Sequence, residues 1–497
     1  MPEQNPADQY STSVGLIYIF NLIVGTGALT LPAVFSRAGW VLGLLVILIL
    51  AFISFITVTF VIETMASANA ILTWRNIQNR KRTTGDSCGS NSDSEDTPLV
   101  PQASGSPEKA DPAYRYYVIN DKIELGEMAS IFFDKTGVTL FYVCLVVYLY
   151  GDLSIYGAAV AKSLADVACT YQAPNFTCNS TIPDTEICWE GSPLNRLDAY
   201  RIFLTIFVLT LGPFVFFNIQ KTKYLQLLTS LMRWLAFAIM IVYASRILIV
   251  EGPQGSPPAA NILGIPALFG ACVYSFMCHH SLPALVAPIT NKATLNRSLS
   301  VDYILIAIFY LLLALTGAFA FQHLDDLYTL DFGPRGSGDC SKSTNFFMVI
   351  TEYFLALFPV FTLSTSFPII AITLRNNLES LFLDKEKVYN IFLRKLLFPI
   401  VAVIPPYTIA MITKDLSILV GITGSYAGAG IQYLIPTFLV YYARKKTDRV
   451  IGLGVINKFS SPFSGNCWLG FVIVWASACM VLVSVNLIET HFWDRST

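Results

Sequence analysis

Asn21-Leu22-Ile23-Val24-Gly25-Thr26-Gly27-Ala28-Leu29-Thr30-Leu31-Pro32 is the stretch that decides the fold. It lies inside the first long apolar segment, 13–34, and interrupts it. Glycine weakens a helix interior, and proline withdraws a backbone donor. Inside a bilayer, backbone groups freed in this way persist only where protein or a watery cavity surrounds them. A second interruption stands far downstream, in the apolar segment 263–289: Phe276-Met277-Cys278-His279-His280-Ser281-Leu282-Pro283. Two interrupted spans at corresponding places in two halves of a chain point to a binding site for a small polar solute.

Composition agrees with a membrane setting. Of 497 residues, 54% are apolar and 13% charged, against about 25% charged in soluble proteins. Eleven apolar runs are long enough to span a hydrocarbon core: 13–34, 39–66, 138–164, 200–218, 224–250, 263–289, 301–321, 346–373, 391–412, 416–441 and 467–488. The expectation is an all-α integral membrane protein of eleven transmembrane helices. Spans 1–5 and 6–10 overlay as two halves, and because five is odd they run in opposite senses, as two inverted five-helix repeats require. Span 11 is an extra C-terminal helix. A net charge of −1 gives no argument for a nucleic-acid partner. No Walker loop, zinc signature or Gly-x-Ser-x-Gly elbow is present, so neither an enzyme nor a metal or cofactor site is expected.

The basic residues set the orientation. Arg75, Arg80, Lys81, Arg82, Lys109, Arg115 and Lys122 follow span 2. Lys221 and Lys223, Lys292 and Arg297, Arg375, Lys385 and Lys387, and Arg444, Lys445, Lys446 and Arg449 fall on the same side. That side is read as cytoplasmic, together with the N-terminus. Met1 to Tyr10 has no basic residue and runs into a full-length apolar span, so the first span is expected to stay in the membrane. On the opposite side, the loop after span 3 carries two glycosylation sequons, at Asn175 and Asn179. It also carries Cys169, Cys178 and Cys188, and Cys340 lies in the next long loop on that side. One or two disulfides are expected among these four, with the pairing open. Cys144, Cys272, Cys278, Cys467 and Cys479 lie in spans and read as small apolar fillers.

The chain divides into a cytoplasmic tail (1–12), the first two spans (13–75), a cytoplasmic loop (76–122), an interfacial helix with spans 3–5 (123–250), spans 6–10 (251–441), a second cytoplasmic loop (442–466), and span 11 with the C-terminus (467–497). The polar loop has too little apolar content to fold and is expected to be disordered. Within it, Glu95-Asp96-Thr97-Pro98-Leu99-Val100 resembles an acidic dileucine sorting signal. It would engage a sorting adaptor and direct the chain to endosomes or lysosomes, the plasma membrane being the alternative. Residues 123–136 read as an amphipathic interfacial helix ended by Gly137, or as an extension of span 3.

At the first break, bare N–H groups of Gly25, Thr26 and Gly27 begin a new half-helix and suit a carboxylate. The carbonyls that end the preceding half-helix suit an ammonium or Na⁺, and Asn21 adds a side-chain oxygen one turn earlier. A glycine notch for helix packing is the alternative. At the second break, carbonyls near Ser275 and Phe276 would hold an amine. His279 and His280 are two ionisable groups at membrane depth, candidates to carry a proton. Alternatively, one bonds a freed carbonyl and the other lines the cytoplasmic mouth. Ser364 and Ser366, in the run Thr362 to Pro368, could ligate Na⁺ or simply bond back to their own helix. Asp152, isolated within span 3, could take a cation or a proton. The run Gly421 to Gly430 reads as a strip for close helix packing.

These segments resemble the sodium-coupled neutral amino acid transporters of the amino acid–polyamine–organocation superfamily. Asn21 with Val24-Gly25-Thr26-Gly27 is similar to their first-span motif. The hydroxyl-rich run ending in Pro368, with Arg375, and Asp415 followed by Val420-Gly421-Ile422-Thr423-Gly424 are similar to their later signatures. The resemblance implies a LeuT-like fold of two inverted repeats, an amino acid substrate, and Na⁺ ligands at Asn21 and at Ser364 or Ser366. Around His279-His280 the chain departs from that pattern, which leaves Na⁺ or H⁺ as the coupling ion. The expected function is secondary amino acid transport by alternating access. A non-transporting amino acid sensor signalling through loop 76–118 is the main alternative, and a membrane scaffold the third.

Overall fold

The computed structural model describes residues 9–85, 116–171, 183–216, 223–333, 346–383, 393–452 and 455–492. Asn175, Asn179, Cys178, Cys340 and the sorting-signal residues 95–100 lie outside the described residues. Among the described residues the secondary structure is helical, apart from isolated bridges at Tyr10–Ile289 and Ile187–Asn195.

Two helices, α1 (Thr12–Ile23) and α2 (Gly27–Ala38), meet at a 56° bend. Gly39 then turns the chain with φ +93°, pressed against the Pro258 carbonyl, where a side chain would be strained. Next come α3 (Trp40–Gly85), α4 (Leu125–Phe132) and α5 (Lys135–Ala168). They are followed by α6 (Arg196–Leu211), α7 (Lys223–Val250), α8 (Ile265–Ser275), α9 (Leu282–Val286) and α10 (Leu295–Ala320). The last are α11 (Phe346–Phe382), α12 (Phe398–Ile412), α13 (Leu416–Thr423), α14 (Ile435–Val450) and α15 (Asn466–Phe492).

Among the described residues, nine helices are long and apolar enough to cross a membrane, and the bent pair α1–α2 makes a tenth. The run 263–289, expected as a span, is two short helices, of 11 and 5 residues, separated by the second break. Large apolar side chains such as Leu209, Val242 and Ile249 cover the outside, as a lipid-facing surface requires.

The amphipathic segment before α5 is a helix of its own, but Gly137 does not end it. A capping box between Glu124 and Glu127 starts α4. The chain breaks at Phe133 and Asp134, and the Asp134 side chain caps α5 by accepting from Gly137 N at 2.9 Å. The expected small-residue strip packs closely. A Cβ on Gly424 would stand 2.0 Å from the Gly270 carbonyl oxygen, and one on Gly270 would stand 2.2 Å from that of Gly421. Backbones of α8 and of the α13 region therefore touch directly, and the helix widens into π-type turns at Gly424–Gly428 and Gly430–Leu434.

Polar contacts tie each end of the bundle. At one end the Arg444 guanidinium grips buried Glu63 with two bonds, of 2.7 and 2.8 Å. At the other, Lys162 of α5 pairs with Asp326, whose second oxygen accepts from Leu416 N at 2.7 Å. There the Cys169–Cys188 disulfide closes the start of the loop after α5.

Candidate functional site

The two breaks face each other at the centre of the bundle. Gly27 lies directly against Ser275, so that a Cβ there would sit 2.5 Å from Ser275 Oγ and 2.7 Å from its Cα. The close approach accounts for a glycine at 27. Gly25 is different, because its nearest neighbour would be the Ile23 carbonyl oxygen at 3.9 Å. Among the described residues, no hydrogen bond takes up the N–H groups of Gly25, Thr26 and Gly27. The next two amides are satisfied locally, Ala28 N by Gly25 O at 3.2 Å and Leu29 N by Thr26 O at 3.0 Å. Three open donors at the head of α2 form a place suited to an anion.

Side chains from the surrounding helices hold the opposite, carbonyl ends. Tyr310 of α10 reaches between the breaks, its hydroxyl 2.9 Å from both Ile23 O and Ser275 O. A phenol has one proton, so the carbonyl ends of α1 and α8 share a single donor. Arg233 of α7 donates to Val24 O at 3.0 Å and also to Asn21 O. The Asn21 side chain itself makes no hydrogen bond among the described residues. Ser275 Oγ donates to Ala271 O at 2.7 Å, and Phe276 is fully buried, edge-on to Tyr310.

A polar chain runs from the first break to α5. Thr26 Oγ1 is 3.3 Å from Tyr274 Oη, which donates to Asp152 Oδ1. Asp152 is buried, and Tyr148 packs between Tyr274 and His280 with ring centroids 6.3 and 5.6 Å away. His279 is wholly buried against α3, its Nε2 2.9 Å from Thr57 Oγ1 and its Nδ1 without a partner. His280 is partly buried, also with an unpartnered Nδ1.

In α11 the hydroxyls turn back on their own helix. Thr365 Oγ1 and Ser366 Oγ both donate to Thr362 O, at 2.8 and 3.2 Å, and Thr362 Oγ1 to Phe358 O at 3.0 Å. This is the ordinary use of hydroxyls in a membrane helix. Ser364 is half-buried with no hydrogen bond among the described residues. The structure thus gathers Gly25, Thr26, Gly27, Ser275, Phe276 and Asp152 around the breaks, places His279 and His280 within the second break, and shows no direct bond from Ser364 or Ser366 to Asn21. Among the described residues, no group of three or more His, Cys, Asp or Glu side chains could hold a metal ion.

Residues 8–84 and 114–481 match the family described as transmembrane amino acid transporter protein. The chain belongs to that transporter family. Among similar proteins, a transmembrane protein 104 homolog of Drosophila melanogaster is 51% identical over 97% of this chain and 98% of its own. Transmembrane protein 104 of Homo sapiens is 49% identical over 96% of this chain and 97% of its own. A homolog in Dictyostelium discoideum is 34% identical over 97% of this chain and 98% of its own.

Three residues of the site escaped the sequence reading. Arg233 carried a usable signal, being the more central of two arginines, with Arg246, in the apolar run 224–250. Tyr274 and Tyr310 carried none, because aromatic residues inside spans are ordinary packing.

Proposed function

We propose that this protein is a secondary active transporter of amino acids, or of closely related small zwitterions, working by alternating access. The observation that carries the reading is the pairing of the two breaks: the N–H groups of Gly25, Thr26 and Gly27 are open, and Gly27 packs directly against Ser275, whose carbonyl accepts from Tyr310. An α-amino acid carries a carboxylate and an ammonium a few bonds apart. The amide cluster complements the first, and the carbonyl end near Ser275 and Phe276 complements the second. Asp152 and the tyrosines Tyr148 and Tyr274 would line the side of the pocket toward α5. In this reading the eleven stretches form two inverted repeats of five with one added helix, and the N-terminus is cytoplasmic. The coupling ion is Na⁺ near Asn21, Ser364 and Ser366, or H⁺ carried by Asp152, His279 or His280.

The purified protein in liposomes should accumulate a labelled amino acid under a Na⁺ or proton gradient. Absence of accumulation for every common amino acid, with protein that melts cooperatively, would overturn the reading.

A further inference from the structure

Arg233 is a permanent cation within the candidate span Leu228–Val250. Among the described residues no carboxylate pairs with it, and its recorded partners are the backbone oxygens of Val24 and Asn21. An unpaired guanidinium at membrane depth is costly and calls for a reason. Its partners supply one. The last carbonyls of α1 are the negative end of a half-helix dipole, where discontinuous spans hold a coupling Na⁺. Here three of the carbonyls around that end already receive a donor, Asn21 and the cap residue Val24 from Arg233 and Ile23 from Tyr310.

We infer that the Arg233 guanidinium is a built-in counter-cation for the carbonyl end of α1, and that flux through this protein needs no Na⁺. The inference rests on the transport reading and decides its coupling ion. A Na⁺ at these carbonyls would have to displace the guanidinium or sit beside it, and like charges repel strongly in a low-dielectric interior. The guanidinium is always charged, weakly hydrated and able to reach two oxygens at once, so it suits a fixed post better than an ammonium would. A proton gradient or substrate exchange remains as the driving force.

The test compares melting of the detergent-purified full chain in NaCl and in choline chloride, at equal ionic strength and pH. Wild type and Arg233→Lys should melt at the same temperature in both salts. Arg233→Ala frees the carbonyls and should melt higher in NaCl, since an ion that binds only the folded form stabilises it. A Na⁺-specific rise in wild type overturns the inference, whether or not Arg233→Ala folds. An Arg233→Ala protein that folds without such a rise also overturns it. In liposomes, initial uptake of a labelled amino acid mixture should be unchanged when external Na⁺ is replaced by choline. Uptake lost on that replacement overturns the inference but upholds transport. No uptake in either salt, or under a proton gradient, overturns the transport reading, and the melting experiment still judges Arg233.

Discussion

The hydroxyl of Tyr310 stands 2.9 Å from the carbonyl oxygen of Ser275 and 2.9 Å from that of Ile23. One side chain on an unbroken helix thereby joins the ends of two broken ones. Tyr310→Phe keeps the ring and its packing and removes only this donor. Two buried carbonyls lose a partner, so stability should fall by about 1–3 kcal/mol. The geometry of the breaks should loosen as well, lowering uptake more than the melting temperature alone explains. Paired melting curves and initial uptake rates check this.

Glycines 25 and 27 separate packing from conformation. Gly27→Ala places a methyl 2.5 Å from Ser275 Oγ and should cost about 1–3 kcal/mol as an overpacked contact. Gly25→Ala meets nothing closer than 3.9 Å and should melt close to wild type. Equal melting temperatures for the two variants would contradict the contact between the breaks.

Asp152→Asn preserves an acceptor for Tyr274 but cannot bind a proton. If Asp152 carries the coupled proton, the variant should fold, and its uptake should no longer accelerate under an inward proton gradient. Acceleration equal to wild type would move that role to His279 or His280.

The Glu63–Arg444 pair ties α3 to α14, with Glu63 also accepting from Ser461 N at 2.8 Å. Arg444→Met leaves a buried carboxylate with that single partner and should cost about 3–5 kcal/mol. Thermal melting reads the loss directly.

Cys169 and Cys188 are joined across 19 residues. Closing a loop of this length should stabilise the fold by about 3 kcal/mol in the chain-entropy account. Cys188→Ser should therefore melt lower than wild type, and mild reduction of wild type should reproduce that shift.

How far the sequence could be read follows from what each signal depends on. The breaks at Gly25-Thr26-Gly27 and His279-His280-Ser281 were legible because glycine, proline and polar residues inside an apolar run have few explanations. The strip at Gly421–Gly430 was legible for the same reason, small side chains being what close backbones need. The end of α4 was misplaced at Gly137, because Asp134 uses that residue's N–H to begin α5 where glycine usually ends a helix. The α11 hydroxyls were ambiguous by nature, since a serine can turn inward to its own carbonyl or outward to an ion. Arg233, Tyr274 and Tyr310 act across 212, 122 and 287 positions of chain, and no local pattern encodes such partners.

The measurement that tests the central claim most directly is uptake of individually labelled common amino acids into liposomes. Wild-type protein would be compared with a Gly27→Ala variant that still melts cooperatively. The account predicts that one or a few amino acids accumulate with wild type under an ion gradient and that accumulation collapses with Gly27→Ala. No accumulation of any amino acid by folded wild type, or equal accumulation by both proteins, would contradict a transport site built between the two broken spans.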